Sequence, residues 1–405
     1  MGMGPVSAAR EGMKRAALWA SVLLLAACGS TNTPTGAAGS PSATNSAPSS
    51  SAVASPSSNP TPAAFCWAMH RCLALVTLRG SNQIVVRDVT DISHPKTLGN
   101  LGAYPAMVGI GAPSARFASS SQVSFVGGKS DDYYGLPTQL FRAPITGSPR
   151  TVVVSKNKAV VAFAWSPAGG TLAYLSPTGF TGMELHELHA GIDRVVAQLP
   201  AIAVGGCEVE PCPGPFQNVG DHWDFRLMFA PDGQHLSVVQ NGINSYFRIW
   251  NSDGQLISSA DFGRTMSVWS RDRLYFLDSK GVEVWRDGTI STSLPGVAWI
   301  RPKASPDGSR IAYEARDAQG SAHVFVLDTA SGQVTDLGGK GRAEPAFLTD
   351  RYVWYEAEPV CVAAKTCDPL FAGIATGKTY LYDLTDQSEA SSIITSVVDV
   401  WPHAA

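Results

Sequence analysis

Phe229-Ala230-Pro231-Asp232-Gly233, followed by Leu236-Ser237-Val238-Val239, reads as a short apolar strand, a tight turn and a second apolar strand. Proline presets φ at one turn position and glycine accepts a positive φ at another, so the turn is specified chemically. The same unit recurs as Trp165-Ser166-Pro167-Ala168-Gly169-Gly170 with Leu172-Ala173-Tyr174-Leu175. It recurs again as Ala304-Ser305-Pro306-Asp307-Gly308 with Ile311-Ala312-Tyr313-Glu314. In every copy the second strand begins five residues after the proline. Looser copies open at Phe117-Ala118-Ser119, Trp269-Ser270-Arg271-Asp272 and Phe347-Leu348-Thr349-Asp350. A unit recurring along a chain is the signature of a repeat architecture.

Third strands follow the second strands at Ile84–Asp88, Gln139–Phe141, Met183–Leu185, Tyr246–Trp250, Val282–Trp285, His323–Asp328 and Thr379–Asp383. These are seven third strands against six openings. The earliest unit, near Leu73–Leu78, lacks a first strand, while Val397–Trp401 is a strand without a unit. Both anomalies vanish if the chain closes on itself. The expected fold is all-β: a single seven-bladed β-propeller of four-stranded blades over residues 65–405, in which the C-terminal strand supplies the innermost strand of the first blade. Packing blades around an axis buries both faces of each sheet and leaves only short edges.

The composition agrees. Glycine (39) and proline (27) favour turns over helix interiors, and the aromatic residues suit strands, which excludes a helical bundle. A net charge of −3 gives no electrostatic footprint for nucleic acid. The Ser-Pro-Asp-Gly units resemble the WD40-like repeats of the TolB family of periplasmic propellers. That resemblance spans residues 73–401 and implies the fold, not the function. The extra N-terminal domain of TolB itself has no counterpart, because a low-complexity segment occupies its place.

Residues 1–27 read as an export signal, with Arg10, Lys14 and Arg15 ahead of the short apolar run Ala16–Ala27. Leu25-Ala26-Ala27-Cys28 resembles the bacterial lipobox, which implies acylation of Cys28 and a lipid-anchored, extracytoplasmic location at the cell membrane. Residues 28–64 then form the lipidated cysteine and a disordered Ser/Thr/Pro/Ala tether, too poor in apolar surface to offset its ordering entropy.

Six further cysteines fall as close pairs: Cys66 and Cys72, Cys207 and Cys212, Cys361 and Cys367. In an exported chain they read as three local disulfides rather than a zinc site, since none is a Cys-x-x-Cys. No metal and no cofactor is expected. Gly373–Thr379 looks like a phosphate-binding loop, but position 372 is Ala and the segment leads into a strand where a helix is required. His186-Glu187-Leu188-His189 suggests a metal pair, but residues three apart on a strand point to opposite faces, and two half-exposed histidines are the plainer reading. No Gly-x-Ser-x-Gly elbow occurs. Asn251-Ser252-Asp253-Gly254 only partly resembles a sialidase Asp-box.

Turns joining first to second strands lie on one end of a propeller; second-to-third and inter-blade connections lie on the other. The long connections here, 101–114, 127–138, 200–223 and 356–378, all belong to the second class and to blades 1, 2, 3 and 7. The binding-face candidates are Asp131, Asp132, Tyr133 and Tyr134 on one connection and Phe216, His222 and Trp223 on another. The expected function is a monomeric, non-enzymatic binding module for an envelope protein, peptide or glycan. The competing expectation is a glycan- or peptidoglycan-directed hydrolase or lyase, which should show convergent carboxylates or histidines with shifted pKa values at the channel mouth.

Overall fold

The computed structural model describes residues 71–77, 83–103, 115–126, 139–154, 158–178, 182–199, 224–241, 246–261, 263–358, 377–394 and 396–401. They form a seven-bladed β-propeller of four-stranded antiparallel sheets. From the axis outward, blade 1 is Val397–Trp401, Leu73–Thr77, Gln83–Asp88 and Lys96–Ala103. Blade 2 is Ala115–Ser119, Gln122–Val126, Leu140–Pro144 and Thr151–Val152, and blade 3 is Ala162–Trp165, Thr171–Thr178, Gly182–His189 and Ile192–Leu199. Blade 4 is Asp224–Phe229, His235–Asn241, Tyr246–Asn251 and Leu256–Asp261, and blade 5 is Thr265–Ser270, Arg273–Asp278, Gly281–Arg286 and Thr289–Pro295. Blade 6 is Ile300–Ala304, Arg310–Arg316, Ala322–Asp328 and Val334–Asp336, and blade 7 is Arg342–Phe347, Tyr352–Ala357, Thr379–Asp383 and Ser388–Ser391.

The closure anticipated from the strand arithmetic is present. Val397–Trp401 pairs antiparallel with Leu73–Thr77, with Leu73 opposite Trp401 and Ala74 opposite Val400. Two ends of one chain thereby build one blade.

Alternation along a strand explains why the second strands are continuous apolar runs. In Leu73–Val76, Leu73 and Leu75 join the cluster shared with blade 2, whereas Ala74 and Val76 join the cluster shared with blade 7. Successive side chains point to opposite faces, and here each face meets a neighbouring blade. Among the described residues the core falls into seven clusters, one at each blade–blade interface.

The repeated turn has the geometry its sequence implies. Gly169, Gly233 and Gly308 have φ of +71°, +71° and +64°. Their N–H groups donate to the carbonyls of Ser166, Ala230 and Ser305 at 2.8–2.9 Å. Hydrogen bonds also staple blade to blade. Trp165 and Trp269, at equivalent inner-strand positions, each donate an indole N–H at 2.9 Å to a serine on the second strand of the preceding blade, Ser124 and Ser237. Burying indoles and hydroxyls in an interface requires this pairing.

Candidate functional site

The described residues present a site where blades 5, 6 and 7 meet, at the end of the ring that carries second-to-third and inter-blade connections. It starts from a backbone irregularity. The innermost strands of these blades each slip register near that end, between Thr265 and Val268, Ile300 and Lys303, and Ala343 and Ala346. Each slip holds one non-glycine residue in left-handed backbone: Met266 (φ 47°), Arg301 (φ 50°) and Glu344 (φ 54°). A bulge re-aims the side chain it carries, at a backbone cost of order 1 kcal/mol. Here the outcome is an ion pair across blades, with Arg301 Nη1 2.7 Å from Glu344 Oε1.

Three further carboxylates gather around that pair. Glu314 is 1% exposed; its carboxylate lies 3.8 Å from both Arg301 and Arg316 and accepts the Glu344 backbone N–H at 3.3 Å. Burial pushes the Glu314 carboxyl upward, against the two arginines that pull it down. Glu358 takes a hydrogen bond from Arg316 at 2.7 Å and another from the Ala322 N–H at 3.2 Å. Glu356 is raised to about 7, first by burial and then by Glu344, with Arg301 opposing. Four carboxylates against two guanidinium groups leave this corner acidic. One of these carboxyls, Glu356, titrates near neutrality.

Next to this cluster a groove of about 780 Å³ runs between blades 5 and 6. Met266, Val297, Trp299, Tyr313 and Phe325 supply apolar and aromatic walls. Trp299 is fully buried, its indole N–H held by the Met266 carbonyl at 2.9 Å, so the wall is fixed rather than adaptable. On the rim His323 sits between Asp317 (3.4 Å) and Asp336 (3.2 Å). Arg316 belongs to both the groove and the carboxylate cluster, which makes them one continuous surface. The volume suits a drug-sized ligand or a few side chains of a peptide.

A second cavity, of about 200 Å³, occupies the central channel and is lined by the innermost strands. Its charged residues are Arg116, Arg226, Lys303 and Asp399.

The sequence-derived candidates fall elsewhere. Asp131, Asp132, Tyr133, Tyr134, Phe216, His222 and Trp223 lie outside the described residues, as do Cys28, Cys66, Cys207, Cys212, Cys361 and Cys367. Cys72 is described and fully buried between blades 1 and 7. The expected pair of half-exposed histidines needs correction. His189 is exposed, but His186 is 1% exposed and stacks on Tyr174 at 4.7 Å, with Glu184 and Asp193 each 3.1 Å from a ring nitrogen. Tyr174 donates to Asp193 at 2.6 Å, so this network ties strands within blade 3. Among the described residues no group of His, Cys, Asp and Glu side chains is placed to hold a metal. Thr379–Asp383 is a strand, as the reading of the phosphate-loop look-alike required.

Loop length does not point to this site, because it is built on the innermost strands of blades 5 to 7 and not on their connections. A signal was available in Arg301-Pro302 and Glu344-Pro345. Proline inside a strand marks a bulge or an edge, and two such prolines at matching positions of consecutive units mark a shared irregularity.

No family model and no curated protein matches the sequence. Solved structures do. Prolyl oligopeptidase B from Galerina marginata, bound to a 25mer macrocyclization substrate, aligns with a TM-score of 0.51 at 12% identity, over 83% of this chain and 52% of that one. TolB from Acinetobacter baumannii aligns with a TM-score of 0.41 at 13% identity over 80% of each chain. Oligogalacturonate lyase from Vibrio parahaemolyticus aligns with a TM-score of 0.49 at 8% identity, over 79% of this chain and 83% of that one. At such identities the likeness is one of fold, and these propellers serve different activities.

Proposed function

We propose that this chain is a lipid-anchored, extracytoplasmic propeller that binds an envelope protein or peptide through the end of the ring bearing the groove. The observation that carries this is the continuity of a rigid aromatic groove with an acidic cluster, joined through Arg316. The surface is complementary to a segment that places apolar side chains beside a basic group. Anchoring rests on the lipobox-like sequence at Cys28. Leu73, where the described chain enters blade 1, lies opposite Trp401 at the short-turn end. An anchor reaching the ring there leaves the groove end facing away from the membrane. The three cystines expected from the cysteine pairs would brace connections at that outward end and at the chain entry.

A photoreactive residue at Ala298, in the groove, tests this against one at Asp253, in a third-to-fourth strand turn at the opposite end. In native membranes Ala298 should capture a discrete partner and Asp253 should not. Capture from Asp253 alone would overturn the orientation and the surface together.

One observation favours a second reading, an enzyme acting on a glycan: Glu356 is raised to about 7 at a site that gathers further carboxyl groups, as suits a general acid. Cleavage of an oligosaccharide by the native chain that is lost on Glu356→Gln, with the fold intact, would select it.

A further inference from the structure

The groove between blades 5 and 6 has a wall of stacked rings that ends in two carboxylates. Ring centroids lie 6.0 Å apart for His323 and Phe325, 5.5 Å for Phe325 and Tyr313, and 5.6 Å for Tyr313 and Trp299. Strand geometry sets this order: His323 and Phe325 are two apart on one strand, and Phe325 pairs with Tyr313 on the next. At the rim, Asp336 Oδ2 accepts the His323 Nδ1–H at 3.2 Å and its Oδ1 accepts the Gly338 N–H at 2.9 Å. Asp317 Oδ1 accepts the N–H groups of Ser321 and Gln319 at 2.8 and 2.9 Å. Those bonds, the one from Ser321 foremost, hold the Asp317 carboxyl below its ordinary pKa. Its Oδ2 has two neighbours, Lys340 Nζ and His323 Nε2, each at 3.4 Å.

His323 Nε2 is enclosed by protein yet makes no hydrogen bond among the described residues, because Asp317 Oδ2 is poorly aligned with it. The tautomer that donates Nδ1–H to Asp336 leaves Nε2 with a lone pair. An enclosed acceptor is costly until a donor meets it. Lys340 shows which donor fits beside Asp317: a primary ammonium. That lysine is 65% exposed, and an exposed pair holds its partner weakly. Arg316, a further cation lining the groove, is committed to Glu358 at 2.7 Å and to the Gly320 carbonyl at 2.6 Å.

We propose that the groove takes a lysine side chain of the partner peptide, its methylene stem along the ring wall and its ammonium between Asp317 Oδ2 and His323 Nε2, displacing Lys340 from the rim. This rests on the reading of the groove as a peptide-binding surface and names what that surface selects. Aromatic faces attract both the apolar stem and the charge it carries. The three donors of the ammonium meet a divergent set of acceptors, Asp317, Asp336 and His323. Arginine fits less well. Its planar fork pairs with both oxygens of one carboxylate, and Oδ1 of Asp317 and of Asp336 are each bonded to backbone already.

Binding of the full chain to an array of seven-residue peptides, each with one lysine among apolar residues, tests the proposal at low ionic strength. Matched arrays carry acetyl-lysine, norleucine or arginine at that position. The lysine array should bind about ten-fold more tightly than the acetyl-lysine and norleucine arrays, the scale of one charge-assisted hydrogen bond. Asp317→Asn keeps an oxygen for the Gln319 and Ser321 N–H groups but removes the charge, and should erase most of that preference. His323→Phe keeps a ring stacked on Phe325 and removes Nε2, and should reduce the preference several-fold. Lys340→Gln removes the rival ammonium and should tighten binding several-fold, a gain that misfolding cannot produce. Equal binding of the lysine and norleucine arrays overturns the proposal, as does a preference for arginine. So does a lysine preference untouched by both Asp317→Asn and His323→Phe, or unchanged or weaker binding after Lys340→Gln. The photoreactive residue at Ala298 keeps the two readings apart. Capture there without a lysine preference retains the partner and removes this inference; a lysine preference without capture retains the groove chemistry and removes the envelope partner.

Discussion

Removing residues 396–405 deletes the innermost strand of blade 1 and leaves Leu73–Thr77 with an open edge. The cost can be worked from the packing. Val398 and Trp401 pack against the core shared with blade 2, and Val397 and Val400 against the core shared with blade 7. All four are part-buried, so each forfeits roughly half of the 1.5–3 kcal/mol that full burial contributes, about 4 kcal/mol together. Loss of the Asp399–Phe117 hydrogen bond adds about 1.5 kcal/mol, giving a total near 5–6 kcal/mol. That rivals the whole stability of an ordinary domain, about 5–15 kcal/mol. The truncated chain should therefore aggregate or unfold without cooperativity, since the newly open edge along Leu73–Thr77 invites pairing with other chains. A circular permutant separates strand loss from chain shortening. Residues 396–401 are placed ahead of Leu73 through a six-residue Ala-Pro-Asp-Gly-Gln-His turn, copied from the six residues that lie between Phe229 and its partner Leu236. Urea unfolding followed by tryptophan fluorescence and gel filtration reads both variants. The permutant should regain a single cooperative transition. A truncated chain that stays monomeric and melts with the native midpoint and slope would refute closure as the source of stability.

Asp350, which accepts the Asp307 N–H from the adjacent blade at 2.8 Å, is raised to about 7 chiefly by burial. A carboxyl whose folded pKa exceeds its unfolded value stabilises fully below the unfolded value and loses that contribution as pH rises through the folded one. Asp350→Asn keeps the acceptor oxygen, so it should flatten the decline in stability between about pH 4 and 7 and raise the melting temperature at pH 8, each 1 kcal/mol counting for roughly 2 °C. Arg301→Met unpairs Glu344 and leaves buried Glu314 with Arg316 alone; it should cost about 2 kcal/mol at pH 8 in urea melts and less at pH 5, where the carboxyls can protonate. Equal losses at both pH values would mean that the pair acts through packing. Cys28→Ser should move the protein from the detergent phase to the aqueous phase, and persistence in the detergent phase would remove lipidation as the anchor.

The ring was legible because its determinants are local and repeated. Pro167, Pro231 and Pro306 with their glycines fix turns that need no tertiary help. The runs Leu73–Val76 and Leu172–Leu175 are apolar on both alternating faces at once, serving two interfaces, and in Leu236–Val239 only Ser237 interrupts the pattern, as the acceptor for Trp269 of the next blade. Counting strands then forced the closure by Val397–Trp401. The site resisted such reading for a physical reason. Glu314, Glu344 and Glu356 come from three strands of two blades, and only the bulges at Arg301 and Glu344 bring them together. Arg116 and Asp399 are 283 residues apart in sequence and become neighbours only when the ring shuts, so no spacing rule could pair them.

The two ends of the ring carry different physical obligations. At the short-turn end the repeated turns bond to one another: Ser270 Oγ donates to the Gly308 carbonyl at 2.6 Å, and Arg310 donates to the Asp350 carbonyl at 3.1 Å. A change in one such turn therefore disturbs the next blade as well as its own. Connections at the other end can lengthen at little thermodynamic cost, because loop-closure entropy grows only logarithmically with length. That end is where the register slips of blades 5, 6 and 7 turn Arg301 and Glu344 toward each other, and where the groove opens beside them. A binding surface can therefore diversify there without changing the turns that hold the blades together. The central channel obeys neither regime. Its lining is drawn from the same innermost strands that close the ring, so a charge placed there, such as Arg116 beside Asp399, is held in position by the whole fold.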